Sequence, residues 1–355
     1  MENLIKDLRA LYERYGYARY KMSKFEEYDL YARNKDFLLS ENIITFTDTN
    51  GRLMALKPDM TLSIVRSSRP VPGSAEKVYY KENVYRVSPG ARGFREIMQI
   101  GLECIGDIDD YCIGEVLLLA AKSLKAISPD CALKISHMGI VSEIADRVGL
   151  TGEAREKALK CVGEKNTHEL AALCDDPEPL KKLIAAAGAP EEVFPVLEAL
   201  GCNDAYIREL KDAVETLRLN GADDPVRIDF SVVNAMNYYS GIVFRGFVSG
   251  VPAAVLSGGR YDRLMRKMGK NCGAIGFAVY PDQLERLYAD DRKYDVDAVL
   301  LYSDGTDPVS VSRAVRRLTD MGISVSAQKS LPEKLRYRQV IRLGESGVSI
   351  VEDNA

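Results

Sequence analysis

The chain has 355 residues, enough for two or three domains, with 46% hydrophobic and 28% charged residues, the balance of an ordinary folded protein with a sizeable core. Its net charge is −4 with no block of Lys or Arg, which speaks against a nucleic-acid partner. Met1 opens a mixed charged stretch rather than an apolar leader, and no apolar run approaches the ~18 residues of a membrane span, so no membrane association and a cytoplasmic protein are expected.

Seven cysteines, Cys104, Cys112, Cys131, Cys161, Cys174, Cys202 and Cys272, show no CxxC spacing. An odd number without metal spacing predicts reduced, mostly buried thiols rather than disulfides or zinc. The only histidines are His137 and His168, too few for a histidine-rich metal site. His137 alternates with Leu133 and Ile135 and reads as structural, while His168 sits in a polar stretch and reads as solvated. No metal or cofactor is expected.

In chain order, residues 1–20 predict an amphipathic helix, with Leu4, Ile5, Leu8, Leu11 and Tyr12 at helical spacing. Two β-type runs, 43–48 and 52–56, flank Asn50-Gly51 and predict a hairpin. Lys57-Pro58-Asp59 ends the second run, and 60–67 reads as a helix. Strands are expected at 77–85 and 95–105, a helix at 111–126 and a short strand at 132–136. Between about 140 and 220 the composition shifts to Ala, Leu, Glu and Lys at helical spacing, punctuated by Pro177, Pro179, Gly188 and Pro190. This predicts an inserted helical domain. Strand character returns at 226–230, 241–248, 253–256 and 273–279. Gly258-Gly259-Arg260-Tyr261-Asp262 reads as a turn before a helix and matches neither a P-loop nor a dinucleotide fingerprint. From Tyr294 a strand (296–302), a helix (309–318) and a strand (323–327) form a β-α-β pattern. The expected fold class is α+β. A discontinuous core spans 1–139 and 222–290, a helical insertion 140–221, and a truncated α/β unit 291–355.

Three places could carry chemistry. Along the strand at 95–105, successive side chains alternate faces. Met98, Ile100, Leu102 and Cys104 suit a core. Arg95, Ile97, Gln99 and Glu103 share the other face, with Gly101 among them. That face is either a polar pocket floor, where Gly101 admits a close approach, or a solvated outer surface. Asp59 either caps the following helix or, with Thr61, offers oxygens to a ligand amine. Tyr238 and Tyr239 point to opposite faces if extended, so one can reach a pocket.

These pieces occur together in an order that resembles the histidyl-tRNA synthetases and their paralogues. Leu56-Lys57-Pro58-Asp59-Met60-Thr61 resembles their "LRPD(E)-x-T" segment, with Lys57 in place of arginine. The run from Phe94 to Glu103 resembles the end of class II motif 2. Asn234-Ala235-Met236-Asn237-Tyr238-Tyr239-Ser240-Gly241 stands where the family has "RGLDYYTG", Gly258–Asp262 matches "GGRYD", and Gly276-Phe277-Ala278-Val279 resembles the start of motif 3. The resemblance covers roughly residues 1–290. It implies a class II synthetase-like antiparallel sheet with flanking helices, and turns the strand face into a pocket. It also implies histidine-contacting roles for Asp59, Thr61, Gln99, Glu103, Tyr238 and Tyr239, with Arg95, Gly258, Gly259, Arg260 and Tyr261 in the pocket wall.

The departures from the family bear on activity. Synthetases hold ATP phosphates with arginine forks. Here Gln283 aligns with the motif 3 arginine, Ser88 with a motif 2 glutamate and Asn234 with the arginine of "RGLDYY". Arg86, Arg92 and Arg286 are the remaining cations that could touch phosphate. Lys24 replaces the motif 1 proline, which bears on the dimer interface. A synthetase-like core lacking ATP residues and a full anticodon domain resembles the regulatory subunit of ATP phosphoribosyltransferase. The resemblance implies a non-catalytic partner of the short catalytic subunit at the first step of histidine biosynthesis. That partner would be a homodimer within a hetero-oligomer, with histidine as a possible feedback ligand. A divergent histidyl-tRNA synthetase and a stand-alone histidine-binding paralogue are the alternatives.

Overall fold

The computed structural model describes residues 1–38, 42–87, 93–233, 238–284, 287, 293–344 and 347–354. The chain divides into two compact units, Met1–Tyr288 and Ala289–Ala355.

The first unit is organised by a nine-stranded sheet among the described residues. Its strand order is Ala18–Arg19, Ala75–Val87, Phe94–Gly106, Gly273–Val279, Leu256–Arg260, Ile242–Val248, Cys131–His137, Val226–Asp229 and Ala187–Gly188. The central pairings are antiparallel. The helices Glu2–Arg14 and Asp110–Ile127 join one face to the main core. Leu8, Leu117, Leu102, Cys104, Ile135, Phe244 and Phe277 are all buried there. The longer helix starts at Asp109, whose carboxylate accepts from the Cys112 amide at 2.8 Å and so satisfies one of the free first-turn donors. The other face is covered in part by the short helices Tyr28–Ala32, Thr61–Ser67 and Asp262–Lys267, through a second core that includes Tyr31, Leu62, Val65, Val78, Tyr80 and Leu264.

The first helix stops at Arg14, short of the expected residue 20. Gly16 turns the chain with φ +83°, and Ala18–Arg19 adds a parallel edge strand instead. The hairpin forms as read: Thr45–Thr47 and Leu53–Leu56 pair across Asn50-Gly51. The Gly258-Gly259 pair departs from expectation. It lies inside the strand Leu256–Arg260, bonded on both sides, and the strand expected at 253–256 is displaced to this position. In the crowded sheet centre the glycines serve packing rather than turning.

The helices between Met138 and Leu219 belong to the first unit, and Leu159, Leu170, Leu183, Leu197 and Leu210 share its main core. They return to the sheet at Asp229, a buried carboxylate that meets Lys134 at 3.0 Å, Lys165 at 3.2 Å and the Ser231 hydroxyl at 2.6 Å. Lys165 ends its helix in the left-handed region, φ 55°, with its amine on Asp229. His137 is buried as expected of a structural residue. Its Nδ1 accepts from the Ile140 amide at 3.4 Å and its Nε2 lies 3.5 Å from Glu209. His168 is exposed.

In the second unit Val296–Leu301 runs parallel to Val325–Gln328 and Tyr337–Gly344, and Gly347–Asp353 closes the sheet antiparallel. Ala314 and Leu318 of the helix Pro308–Asp320 pack on Ala298, Leu300 and Ile341. The last two strands were not legible in the sequence. Arg338 and Arg342 interrupt the apolar pattern of one, and every residue of the other is exposed.

Burial pushes the Asp229 carboxyl up, but Ser231 and Lys134 outweigh it and hold it at about 2, below the ordinary 3.8. A carboxyl lowered on folding stabilises above its unfolded pKa and loses that contribution as pH falls through the folded value. Asp229→Asn is expected to destabilise the protein at pH 7 by about 1–3 kcal/mol, the scale of a lost buried partner. The gap in melting temperature should close between about pH 4 and pH 2. A variant that melts like the parent at pH 7 would exclude this tether.

Candidate functional site

The second face of the sheet is not filled at its middle, where a cavity of about 230 Å³ opens. Register explains the space. Arg245 stands opposite Ser257, Ser257 opposite Ala278, Ala278 opposite Gly101, and Gly101 opposite Tyr80. In the neighbouring row Gly259 faces Gly276, and Gly276 faces Glu103. Three short or absent side chains in the first row and two glycines in the second leave a hollow between taller neighbours. Asp59 and Thr61 enter from the start of the Thr61–Ser67 helix. Tyr238 and Tyr239 enter from the segment before the Ile242–Val248 strand, and Phe37 and Leu38 from the rim.

Glu103 is the centre of the site. It is 2% exposed, and Thr61 Oγ1 donates to one carboxyl oxygen at 2.8 Å while the Tyr261 phenol donates to the other at 2.5 Å. The carboxyl lies directly over Gly276: a Cβ there would sit 1.8 Å from Oε2. Gly101 plays the matching part beside it, since a Cβ would come within 2.5 Å of the Tyr80 hydroxyl. The close approach read at Gly101 is thus made by the protein's own phenol. Burial raises the Glu103 carboxyl to about 8, against the two hydroxyl bonds and with help from Asp59. Burial also raises Asp59, while the Leu62 amide and the charge of Arg86 oppose it. The Asp59 carboxylate accepts from that amide at 2.9 Å, so it caps the helix and lines the cavity at once. Burial first, then the neighbouring carboxyl and phenol groups, keeps the Tyr80, Tyr238, Tyr239 and Tyr261 phenols protonated. The Tyr238 and Tyr239 rings meet edge to face at 4.6 Å.

Asp59, Thr61, Gln99, Glu103, Tyr238, Tyr239 and Tyr261 therefore surround one cavity. The pocket-floor reading of the Phe94–Gly106 strand holds at Gln99 and Glu103, which are buried, and fails at Arg95, which is exposed. Arg95 is four residues from Gln99, roughly 13 Å along a strand, and does not line the cavity. Gly258 faces Phe277 and Phe244 in the main core, and Gly259 lies behind the Tyr239 ring. Arg260 lines a different, open cleft, with its Nε 2.8 Å from Asp262 and its Nη1 3.9 Å from Glu209. Strand alternation sends it to the opposite side from the cavity. These four residues form no part of the cavity wall.

Sequence reasoning missed Tyr80, Arg245, Ser257 and Tyr280, all in the lining. Alternation along 241–248 with the register to Ser257 was the only available signal. Of the phosphate-side residues, Gln283 is exposed in a short 3-10 turn, and Ser88, Arg92, Asn234 and Arg286 lie outside the described residues. Arg86 keeps one buried guanidinium nitrogen without a hydrogen-bond partner. Lys57 is fully buried with its amine 4.0 Å from Glu82, and burial lowers its pKa. Among the described residues no cluster of three or more His, Cys, Asp or Glu could hold a metal, and no helix is long and apolar enough to cross a membrane.

The family model for histidyl-tRNA synthetase matches residues 1–284. An ATP phosphoribosyltransferase regulatory subunit from Clostridium kluyveri is 31% identical, over 78% of this chain and 74% of that protein. Among solved structures, an ATP phosphoribosyltransferase regulatory subunit/histidyl-tRNA synthetase from Bacillus halodurans has a TM-score of 0.74 at 24% identity, covering 96% of this chain and 93% of that one. An ATP phosphoribosyl transferase complex from Thermotoga maritima contributes a chain with a TM-score of 0.63 at 20% identity, covering 78% and 96%. At these identities the two structures establish the shared fold.

A carboxyl raised on folding is neutral in both states below its unfolded pKa. Its contribution is lost as pH rises toward the folded value. Glu103→Gln is neutral at every pH. Its melting temperature should therefore gain on the parent's between about pH 4.5 and pH 8, the ordinary and the raised values. A constant difference across that range would show that Glu103 is ionised in the fold.

Proposed function

Because the chain belongs to the histidyl-tRNA synthetase family and, within it, to the ATP phosphoribosyltransferase regulatory subunits, we propose that it partners the catalytic phosphoribosyltransferase without catalysing a step itself, and that its cavity holds histidine. The role is regulatory, in histidine biosynthesis.

One observation carries the ligand reading. Asp59, Thr61, Gln99, Glu103 and the Tyr238–Tyr239 pair converge on a single cavity of about 230 Å³. Two acidic groups and an amide suit an amine and an imidazole, both of which donate hydrogen bonds. The aromatic wall favours a flat or cationic group against it. The phosphate side supports the loss of amino-acid activation. Gln283, at the motif 3 position, carries no charge, and a single missing donor of this kind typically costs ~10²–10³ in rate. A homodimer within a hetero-oligomer is the proposed assembly, by analogy with the family, and the cytoplasm the proposed compartment, in keeping with seven unpaired cysteines.

Mixing the purified chain with the short catalytic subunit should raise phosphoribosyl-ATP formation well above that of the catalytic subunit alone. The same preparation should give no histidine-dependent exchange of pyrophosphate into ATP. No activation together with no co-elution would eliminate the partnership, and exchange activity would return the chain to the synthetases. Glu103→Ala should weaken L-histidine by ~10–100-fold in calorimetry, the scale of a hydrogen bond to a charged group. Unchanged affinity would refute the pocket assignment.

A further inference from the structure

The cavity has a second pole. Arg245 stands in the same row as Ser257, Ala278 and Gly101, on the face that carries the cavity. Ser257 and Ala278 are short and Gly101 has no side chain, so no tall group rises from the row between Arg245 and the strand of Glu103. That strand lies three places away in the sheet, ~14 Å at the usual strand spacing, and both side chains reach inward over the gap. The Arg245 Nη2 donates to the Val233 carbonyl at 3.1 Å, which sets the direction of the guanidinium. Its charge is felt at the Tyr239 phenol, inside the cavity. Beside it, the Ser257 and Tyr280 hydroxyls are bonded to each other at 2.6 Å. The opposite pole carries Asp59 and Glu103.

We propose that Arg245, flanked by the Ser257 and Tyr280 hydroxyls, is the carboxylate-binding end of the cavity, so that the ligand is a zwitterionic α-amino acid held at both poles. A guanidinium fork matches a carboxylate in two places, which an ammonium does not. The same charge repels a ligand that is only cationic. The cavity thereby selects the intact amino acid over its decarboxylated amine. This inference rests on the histidine reading above and adds the residue that recognises the acid group.

The test is calorimetry on the full chain with L-histidine and with histamine, which keeps the ring and the amine but lacks the carboxylate. The parent should prefer L-histidine by ~10-fold or more, Arg245→Gln should lose ~10–100-fold for L-histidine, and its histamine affinity should rise rather than fall, since the repelling charge is gone. Arg245→Lys should fall between, since it restores charge without the fork. Equal binding of the two ligands by the parent overturns the proposal without any variant, so a poorly folding Arg245→Gln does not shield it. A parent that binds L-histidine while Arg245→Gln binds it equally well overturns the role of Arg245 and leaves the histidine reading standing. A parent that binds no L-histidine overturns both.

Discussion

The site depends on one contact: a buried carboxyl pressed flat against a glycine. Glu103 can lie where it does because Gly276 contributes only a hydrogen to the facing strand. Thr61 and Tyr261 then claim its two oxygens from opposite sides. These partners come from residues 42 and 158 positions away in sequence. The contact therefore ties the short helix after the hairpin and the "GGRYD" segment to the Phe94–Gly106 strand. A carboxyl so enclosed favours its neutral form, and the hydroxyls around it stay protonated for the same reason.

The remainder of the first unit supports that arrangement by treating the two sheet faces differently. One face is sealed by long helices, with Leu117 and Leu8 among its fully buried side chains. The other is covered in part by short helices, and the hollow lies where Ser257, Ala278, Gly101 and Gly276 keep the sheet surface low. The helices between Met138 and Leu219 are joined to the sheet through Asp229, where two lysines meet one carboxylate.

Much of this was legible in the sequence because it is local. Asn50-Gly51 between two β-type runs specifies a hairpin with little reference to the rest of the fold. The 3.6-residue pattern from Asp110 to Ile127 and the alternation around Leu102 follow from burial on one face. The cavity residues Asp59, Gln99 and Glu103 were reached through ordered motif resemblance, which alternation alone had left open. What escaped depended on distant register. Arg245 looks like any polar residue in an apolar strand until it is seen opposite Ser257 and in a row with Gly101. Gly258-Gly259 carries the composition of a turn, and only the neighbours on both sides show why it is a strand. Arg95 failed for the opposite reason: it shares the face of Gln99, yet lies too far along the strand to reach the cavity.

The fit of Glu103 over Gly276 also sets how such a site can diversify in descent. A half-buried lining position such as Leu38 can drift and retune which guest is admitted. Position 276 has no such latitude, because even a methyl group would overlap both the carboxyl and the Leu102 carbonyl. Lineages sharing this pocket are thus free to vary its mouth while its base stays fixed.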